Sequence, residues 1–359
     1  MRLLAVATNP ETGASTRFRV LQWRPYLERA GFSLTVDTFF TAAGAGVLYQ
    51  PGHYLAKLSC FVHGILRRAV SLARAPRNAD LLFIHREAFP LGRKLLFGKL
   101  EKFPGPIIYD YDDAMFLPQR EGRGILARLE DLETPKEVMA LSAVVLAGNQ
   151  FLAEYARRYA KRVVVLPTCI DPVKFRPADP PGSSERCVVG WIGSHSTVKY
   201  VEDLLPILQR AAGKYRFTFR VVGAATPLRA PGLQVDQRPW VLEREVEDFQ
   251  GCDIGVYPLW DDPWAQGKCG FKAIQFMACG VPVVAAAVGV NRQIIEDGVN
   301  GFLASTEGEW EEKLGCLIAD PRLREKLGQA GRRTVTERYS LDVHAPTLVA
   351  VLRSAVERA

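Results

Sequence analysis

The chain has 359 residues, long for one hydrophobic core and ample for two domains of ordinary size. Apolar residues make up 48% and charged residues 24%, which excludes a disordered tail; the net charge of +7 asks for an anionic partner, and nucleic acid, an anionic membrane surface and a phosphorylated substrate all fit. Seven cysteines, at positions 60, 169, 187, 252, 269, 279 and 316, stand singly, with no C-x-x-C pair or tight Cys/His cluster, which argues against a disulfide framework and structural zinc and for a reducing compartment.

In chain order, the first apolar run is short. It reaches Thr8-Asn9-Pro10 after five apolar residues, too few for a signal peptide, and suits a buried strand over 3–7. The loop Gly13-Ala14-Ser15-Thr16-Arg17-Phe18-Arg19 then opens a helix. Such a loop holds an anion against the helix N-terminus, with Arg17 and Arg19 as candidate donors to a phosphate. A second strand is predicted over 34–37. From 54 to 74 a helical wheel gathers Tyr54, Leu55, Leu58, Phe61, Val62, Ile65 and Leu72 on one side, with Lys57, Arg67, Arg68 and Arg74 mostly away from it. Two readings stand: a core-packing helix with a solvated basic face, or an interfacial helix on anionic lipid.

A strand over 81–84 leads to His85-Arg86-Glu87, where His85 is either a candidate catalytic group or a strand-end histidine satisfied by its neighbours. The strand over 107–109 runs into Asp110-Tyr111-Asp112-Asp113. Carboxylates this close repel one another, so a purely solvated role does not account for them. Asp112 and Asp113 are candidate catalytic groups, to accept hydrogen bonds from a ligand's hydroxyls or to act as a general base. A metal-binding Asp-x-Asp motif is the rival reading. Strands over 144–147 and 163–166 complete the first series, and no window approaches the roughly 18 to 20 apolar residues of a membrane span.

A Pro/Gly/Ser stretch over 177–184 is the natural domain boundary. Beyond it, strands are predicted over 188–192, 217–222, 254–257 and 281–285. Strands alternating with helices imply parallel sheets covered on both faces, hence two doubly wound domains that bind ligands at the carboxyl ends of their strands. The strand 188–192 ends in a tight turn at Gly193, ahead of Ser194 and Lys199. Further on, Gly267-Lys268-Cys269-Gly270-Phe271-Lys272 precedes a short helix stopped by Gly280. Free N–H groups and the positive dipole end of that helix suit a diphosphate, and Lys268 and Lys272 add mobile charge at the same end.

The run Met277-Ala278-Cys279-Gly280-Val281-Pro282-Val283-Val284, followed by Gly289 and by Ile294-Ile295-Glu296-Asp297-Gly298-Val299-Asn300-Gly301-Phe302-Leu303, resembles the C-terminal signature of family 4 (group 1) retaining glycosyltransferases of the GT-B fold. The likeness extends to Asp320-Pro321 and Arg338-Tyr339-Ser340, and more weakly back to Asn149-Gln150-Phe151-Leu152. It implies two Rossmann-like domains facing across a cleft: residues 1–176 for the acceptor, 177–340 for the nucleotide sugar, and a helix over 341–359 crossing back to the first. It also implies retention of configuration, a UDP- or GDP-sugar donor, no cofactor or required metal, and a glycan or lipid-linked acceptor in cell-surface synthesis. Lys199 falls at the family's diphosphate lysine, Ser194 where an arginine is common, and Trp240 near the base and ribose wall. A histidine often faces the reacting sugar where Asp112 or Asp113 falls.

Two positions depart from the family. Gly267 and Gln275 stand where paired glutamates usually hold the donor sugar and the ribose. Gln275 still offers an amide to a ribose hydroxyl, whereas Gly267 offers no side chain. A catalytically lapsed nucleotide-sugar or glycan-binding protein is therefore the second reading. Nucleic acid is not an expected partner, because no recognition motif accompanies the positive charge. The expected location is the cytoplasm, at the inner face of the membrane if the helix over 54–74 is interfacial.

Overall fold

The computed structural model describes residues 1–48, 52–90, 97–118, 132–179, 186–194 and 197–358. His195 and Ser196 of the second glycine loop, and residues 180–185 of the expected linker, lie outside these. The chain divides into two compact units, one of Met1–Cys169 with His344–Ala359, the other of Ile170–Val343.

The first unit is built on strands β1 (Arg2–Ala7), β2 (Ser33–Thr38), β3 (Leu81–His85), β4 (Ile107–Tyr111), β5 (Val144–Ala147) and β6 (Val163–Val165). All pair in parallel, in the order β2-β1-β3-β4-β5-β6. Near-continuous burial of β1, β3, β4 and β5 explains their unbroken apolar sequences, since helices cover both faces of such a sheet. The second unit repeats the plan with β7 (Cys187–Ile192), β8 (Phe217–Val222), β9 (Val235–Arg238), β10 (Ile254–Tyr257), β11 (Val283–Ala286) and β12 (Phe302–Ala304), ordered β12-β11-β10-β7-β8-β9. Its core gathers Val189, Trp191, Leu204, Leu208, Phe219, Val256, Val284, Leu314 and Leu327.

In each sheet the strand order reverses beside its first strand, between β1 and β3 and between β7 and β10. The crevice outside the carboxyl ends at such a point is where open α/β sheets take ligands. No described helix is long and apolar enough to cross a membrane.

The division of the chain differs from the expected bounds by a few residues. The unit boundary falls at Cys169–Ile170, ahead of the 176–177 junction, because backbone bonds tie Ile170 to Tyr339 and Leu341, and Arg332 donates to the carbonyls of Pro172 (2.6 Å) and Ala278 (2.6 Å). The final helix, Leu341–Glu357, starts in the second unit and belongs to the first from His344 onward.

The helix Tyr54–Asn78 also turns a different face inward from the one expected. Its buried residues are Gly64, Arg68, Leu72 and Ala75, while Leu55, Leu58 and Val62 face solvent. Gly64 lets the helix lie on the Phe39 ring, which a Cβ would meet at 2.6 Å. Arg68, expected on the solvated face, is buried: its Nε donates to Asp37 Oδ2 (2.7 Å) and its Nη2 to the Ala7 carbonyl (2.7 Å).

Candidate functional site

In the second unit the site grows from β7. Gly193 follows the strand, and a Cβ there would lie 2.2 Å from the Trp191 ring. Gly223, after β8, has φ +91°, and a Cβ on it would lie 2.2 Å from the Gly193 carbonyl oxygen. The two glycines let the loops after β7 and β8 touch, with half-buried Trp240 against Gly223. Exposed Ser194 donates its backbone N–H to the Thr197 hydroxyl oxygen (3.2 Å), just ahead of the helix Val198–Ala212.

Lys199 lies in the first turn of that helix, with its Nζ 4.4 Å from the centroid of Trp260. Trp260 follows β10 and packs edge-on to Tyr200. This aromatic bracket across the ends of β7 and β10 was not singled out from the sequence. Its signal was a tryptophan placed just after a strand and followed by Asp261-Asp262.

Asp262 then caps the short helix Pro263–Gln266 through Ala265 N–H (2.8 Å) and aims the chain into the loop 267–270. Gly270 holds φ +64° as the residue ahead of the helix Phe271–Ala278. A Cβ on it would meet Ile294 Cδ1 at 2.3 Å and Asn291 Oδ1 at 3.2 Å. Cys269 and Gly270 are buried, and Lys268, Phe271 and Lys272 half-buried. Lys268 Nζ sits 5.3 Å from the Trp264 ring centroid and Lys272 Nζ 5.4 Å from that of Phe249.

Gln275 is wholly buried on this helix. Its amide oxygen, the atom expected to face a ribose, accepts from Lys272 Nζ (3.1 Å), which leaves the buried Nε2 donor without a partner. Asn291 donates to the Ala286 carbonyl (3.0 Å) while its buried Oδ1 is also unpartnered. Each unmet buried group costs about 1–3 kcal/mol. An unmet donor on Gln275 and an unmet acceptor on Asn291, the latter packed against Gly270, thus lie within and beside this helix. Gly267 is buried and ends the preceding helix, so it presents backbone alone.

In the first unit, the loop after β1 and the ends of β3 and β4 meet at Asp110. Arg19, a candidate phosphate donor, is buried and forked onto this carboxylate: its Nε donates to Oδ2 (3.1 Å), its Nη2 to Oδ1, and its Nη1 to the Leu166 carbonyl (2.9 Å). That corrects the phosphate assignment for Arg19, because its donors are spent inside the unit. Arg17 stays half-buried, with its Nε on the Thr12 carbonyl (3.2 Å).

His85 faces Asp110 Oδ2 through Nδ1 (2.7 Å), and its buried Nε2 has no partner. At 1% exposure it is packed against Asp110 inside the first unit.

Asp112 and Asp113 share one guanidinium. Arg86 Nε donates to Asp112 Oδ1 (2.6 Å) and its Nη2 to Asp113 Oδ2 (2.6 Å). Arg86 has φ +61°, unusual for a side chain of its size, and its N–H bonds the Asp110 carbonyl (2.7 Å). Burial pushes the Asp112 carboxyl up, but the charges of Arg86 and Arg19 and the Arg86 hydrogen bond outweigh it and hold the pKa well below the usual carboxylate range. Asp112 is therefore a poor proton acceptor near neutral pH and a good hydrogen-bond acceptor. Among the described residues no three His, Cys, Asp or Glu side chains are grouped to hold a metal ion.

Residues 186–320 match the family described as "Glycosyl transferases group 1". The second unit is a group 1 glycosyltransferase domain. Proteins similar to parts of this chain include D-inositol 3-phosphate glycosyltransferases. One, from Xylanimonas cellulosilytica, is 27% identical over 62% of this chain and 60% of its own length. Another, from Stackebrandtia nassauensis, is 24% identical over 90% and 78%. This chain thus spans less than two thirds of the first relative's length. Among solved structures, sucrose-phosphate synthase from Thermosynechococcus elongatus superposes with a TM-score of 0.74 at 15% identity, covering 100% of both chains. HepE of Anabaena, solved with UDP, gives 0.70 at 18% identity over 99% of this chain and 100% of its own. Together with the two parallel six-stranded sheets, these make the fold GT-B. The matched residues include Gly193, Lys199, Trp240 and the whole 267–275 segment.

Proposed function

We propose that this chain transfers a sugar from a nucleoside-diphosphate sugar, a UDP- or GDP-sugar, to a glycan or lipid-linked acceptor with retention of configuration. The observation that carries the reading is the start of the helix Phe271–Ala278. There two lysines, a helix N-terminus and two unpartnered buried polar atoms adjoin within a group 1 glycosyltransferase domain. HepE, with the same fold, has been solved with UDP and with UDP-glucose, which supports a uridine nucleotide as the first donor to try.

In the proposed reaction the bond from anomeric carbon to phosphate oxygen breaks, and negative charge grows on the departing diphosphate. Lys268, Lys272 and the helix N–H groups meet that charge without a metal ion, and preorganised donors of this kind are the main catalytic device available here. The Gln275 amide N–H meets a ribose hydroxyl. Asp112 and Asp113, fixed by Arg86, accept hydrogen bonds from sugar hydroxyls.

The test is a thermal-shift screen with UDP, GDP, ADP, CDP and dTDP, followed by turnover of the matching nucleotide sugars with the product anomer read by NMR. One nucleotide should raise the melting temperature. Gln275→Met should weaken that nucleotide by about 1 kcal/mol, with the change in the unliganded protein's own melting temperature measured alongside, since the substitution removes both an unmet donor and the acceptor of Lys272. No shift with any nucleotide would sink the reading. Tight binding with no transfer or hydrolysis would favour the second reading, a lapsed binding protein, for which Gly267 and Gln275 in place of acidic residues speak.

A further inference from the structure

We propose that the helix Tyr54–Asn78 seats the first unit on an anionic lipid bilayer. Leu55, Leu58, Val62, Leu66 and Val70 are exposed, from 46% at Val62 to 85% at Leu55. Their spacing of three and four residues makes one stripe, about 22 Å long at the rise of an α-helix. The inward side of the helix is already occupied by Gly64, Arg68, Leu72 and Ala75, so the stripe takes no part in the core. Tyr54, 81% exposed at the helix start, adds an aromatic ring of the kind that settles at a membrane–water interface. A continuous apolar stripe on a water-facing helix marks a contact surface rather than ordinary exposure.

Charge selects the occupant. Residues 54–78 contain Lys57, Arg67, Arg68, Arg74 and Arg77 and no aspartate or glutamate. Arg68 is spent on Asp37, but Arg74 and Arg77 are exposed near the C-terminal end of the stripe. Two copies joined through this face would set cation against cation, with no carboxylate on the helix to pair. An anionic headgroup layer takes the apolar side chains into the acyl boundary and the arginines into its own negative potential. Such docking would bring the first unit to an acceptor carried on lipid, yet the inference stands on the helix alone and does not depend on sugar transfer.

The full chain should float with vesicles of equal parts phosphatidylglycerol and phosphatidylcholine. It should stay in the aqueous layer with phosphatidylcholine alone, and added salt should release it. Leu58→Glu with Leu66→Glu should abolish flotation at an unchanged unfolding midpoint, because both side chains are exposed. Arg74→Gln should lower the partition about fivefold. Failure to float, or flotation of the double variant at the wild-type level, would overturn the proposal. So would light scattering that finds a dimer in solution which the double variant dissociates. Flotation without any glycosyl transfer would uphold the docking surface and count only against the proposed reaction.

Discussion

At the scale of single residues, Arg86 decides what the acidic cluster can do. One guanidinium, held in a left-handed backbone conformation after β3, bridges Asp112 and Asp113. Because the Asp112 pKa is depressed in the folded state, its contribution to stability is complete above the unfolded value near 4 and is lost as pH falls below it. Arg86→Met leaves two half-buried carboxylates facing each other, and should cost about 1–3 kcal/mol at pH 7. The difference from wild type should shrink as pH falls below about 4 and through the depressed folded-state pKa of Asp112, where the wild-type pair loses its advantage. Urea midpoints at these pH values test it, and a pH-independent gap would exclude the clamp. The sequence announced the repulsion among the carboxylates but not its remedy. Arg19 and Asp110 are 91 residues apart and meet only when β1 and β4 enter one sheet, so their pairing leaves no local signature. His85 and Asp110, by contrast, are register partners at the ends of adjacent strands.

At the scale of elements, burial governs what could be read. The central strands announce themselves through unbroken Val, Ile and Leu because both of their faces are covered. The edge strands β9 (Val235–Arg238) and β12 (Phe302–Ala304) went unpredicted: β9 is half-buried and mostly polar, and β12 is three residues long. The helix Tyr54–Asn78 misled for another reason. Its apolar residues cover more than half the wheel, and periodicity cannot say which part packs. The loop and helix around Gly270 were legible, since glycine and lysine before an apolar run mark a helix start. What the sequence concealed was the fit. Gly270→Ala would force an L side chain into φ +64° and push its Cβ against Ile294 Cδ1. A destabilisation of about 1–3 kcal/mol should follow, together with weaker nucleotide binding as the helix start is displaced. Urea unfolding with and without nucleotide would measure both, and an unchanged midpoint would show that the loop accommodates the methyl group without strain.

At the scale of the whole chain, the first unit is discontinuous. Its sheet is complete at β6, yet its core is closed by residues that follow the entire second unit. The segment from His344 buries Leu348, Val351, Leu352 and Ala355. It is pinned by Arg162 donating to the Ser354 hydroxyl (2.7 Å) and by Arg353 donating to the Ala30 carbonyl (2.9 Å). The first unit therefore cannot reach its final packing until the second has been threaded through. Leu352 lies at 0% exposure, and Leu352→Ala should cost about 2–5 kcal/mol through lost burial and the cavity left behind. Where amides exchange through opening of the whole unit, each 1.4 kcal/mol corresponds to about a tenfold faster rate. Hydrogen exchange should then accelerate in β1 and β3 at the opposite end of the sequence, while β7 and β10 keep their rates. Acceleration confined to the final helix would mean that this helix frays independently and that the first unit is stable without it.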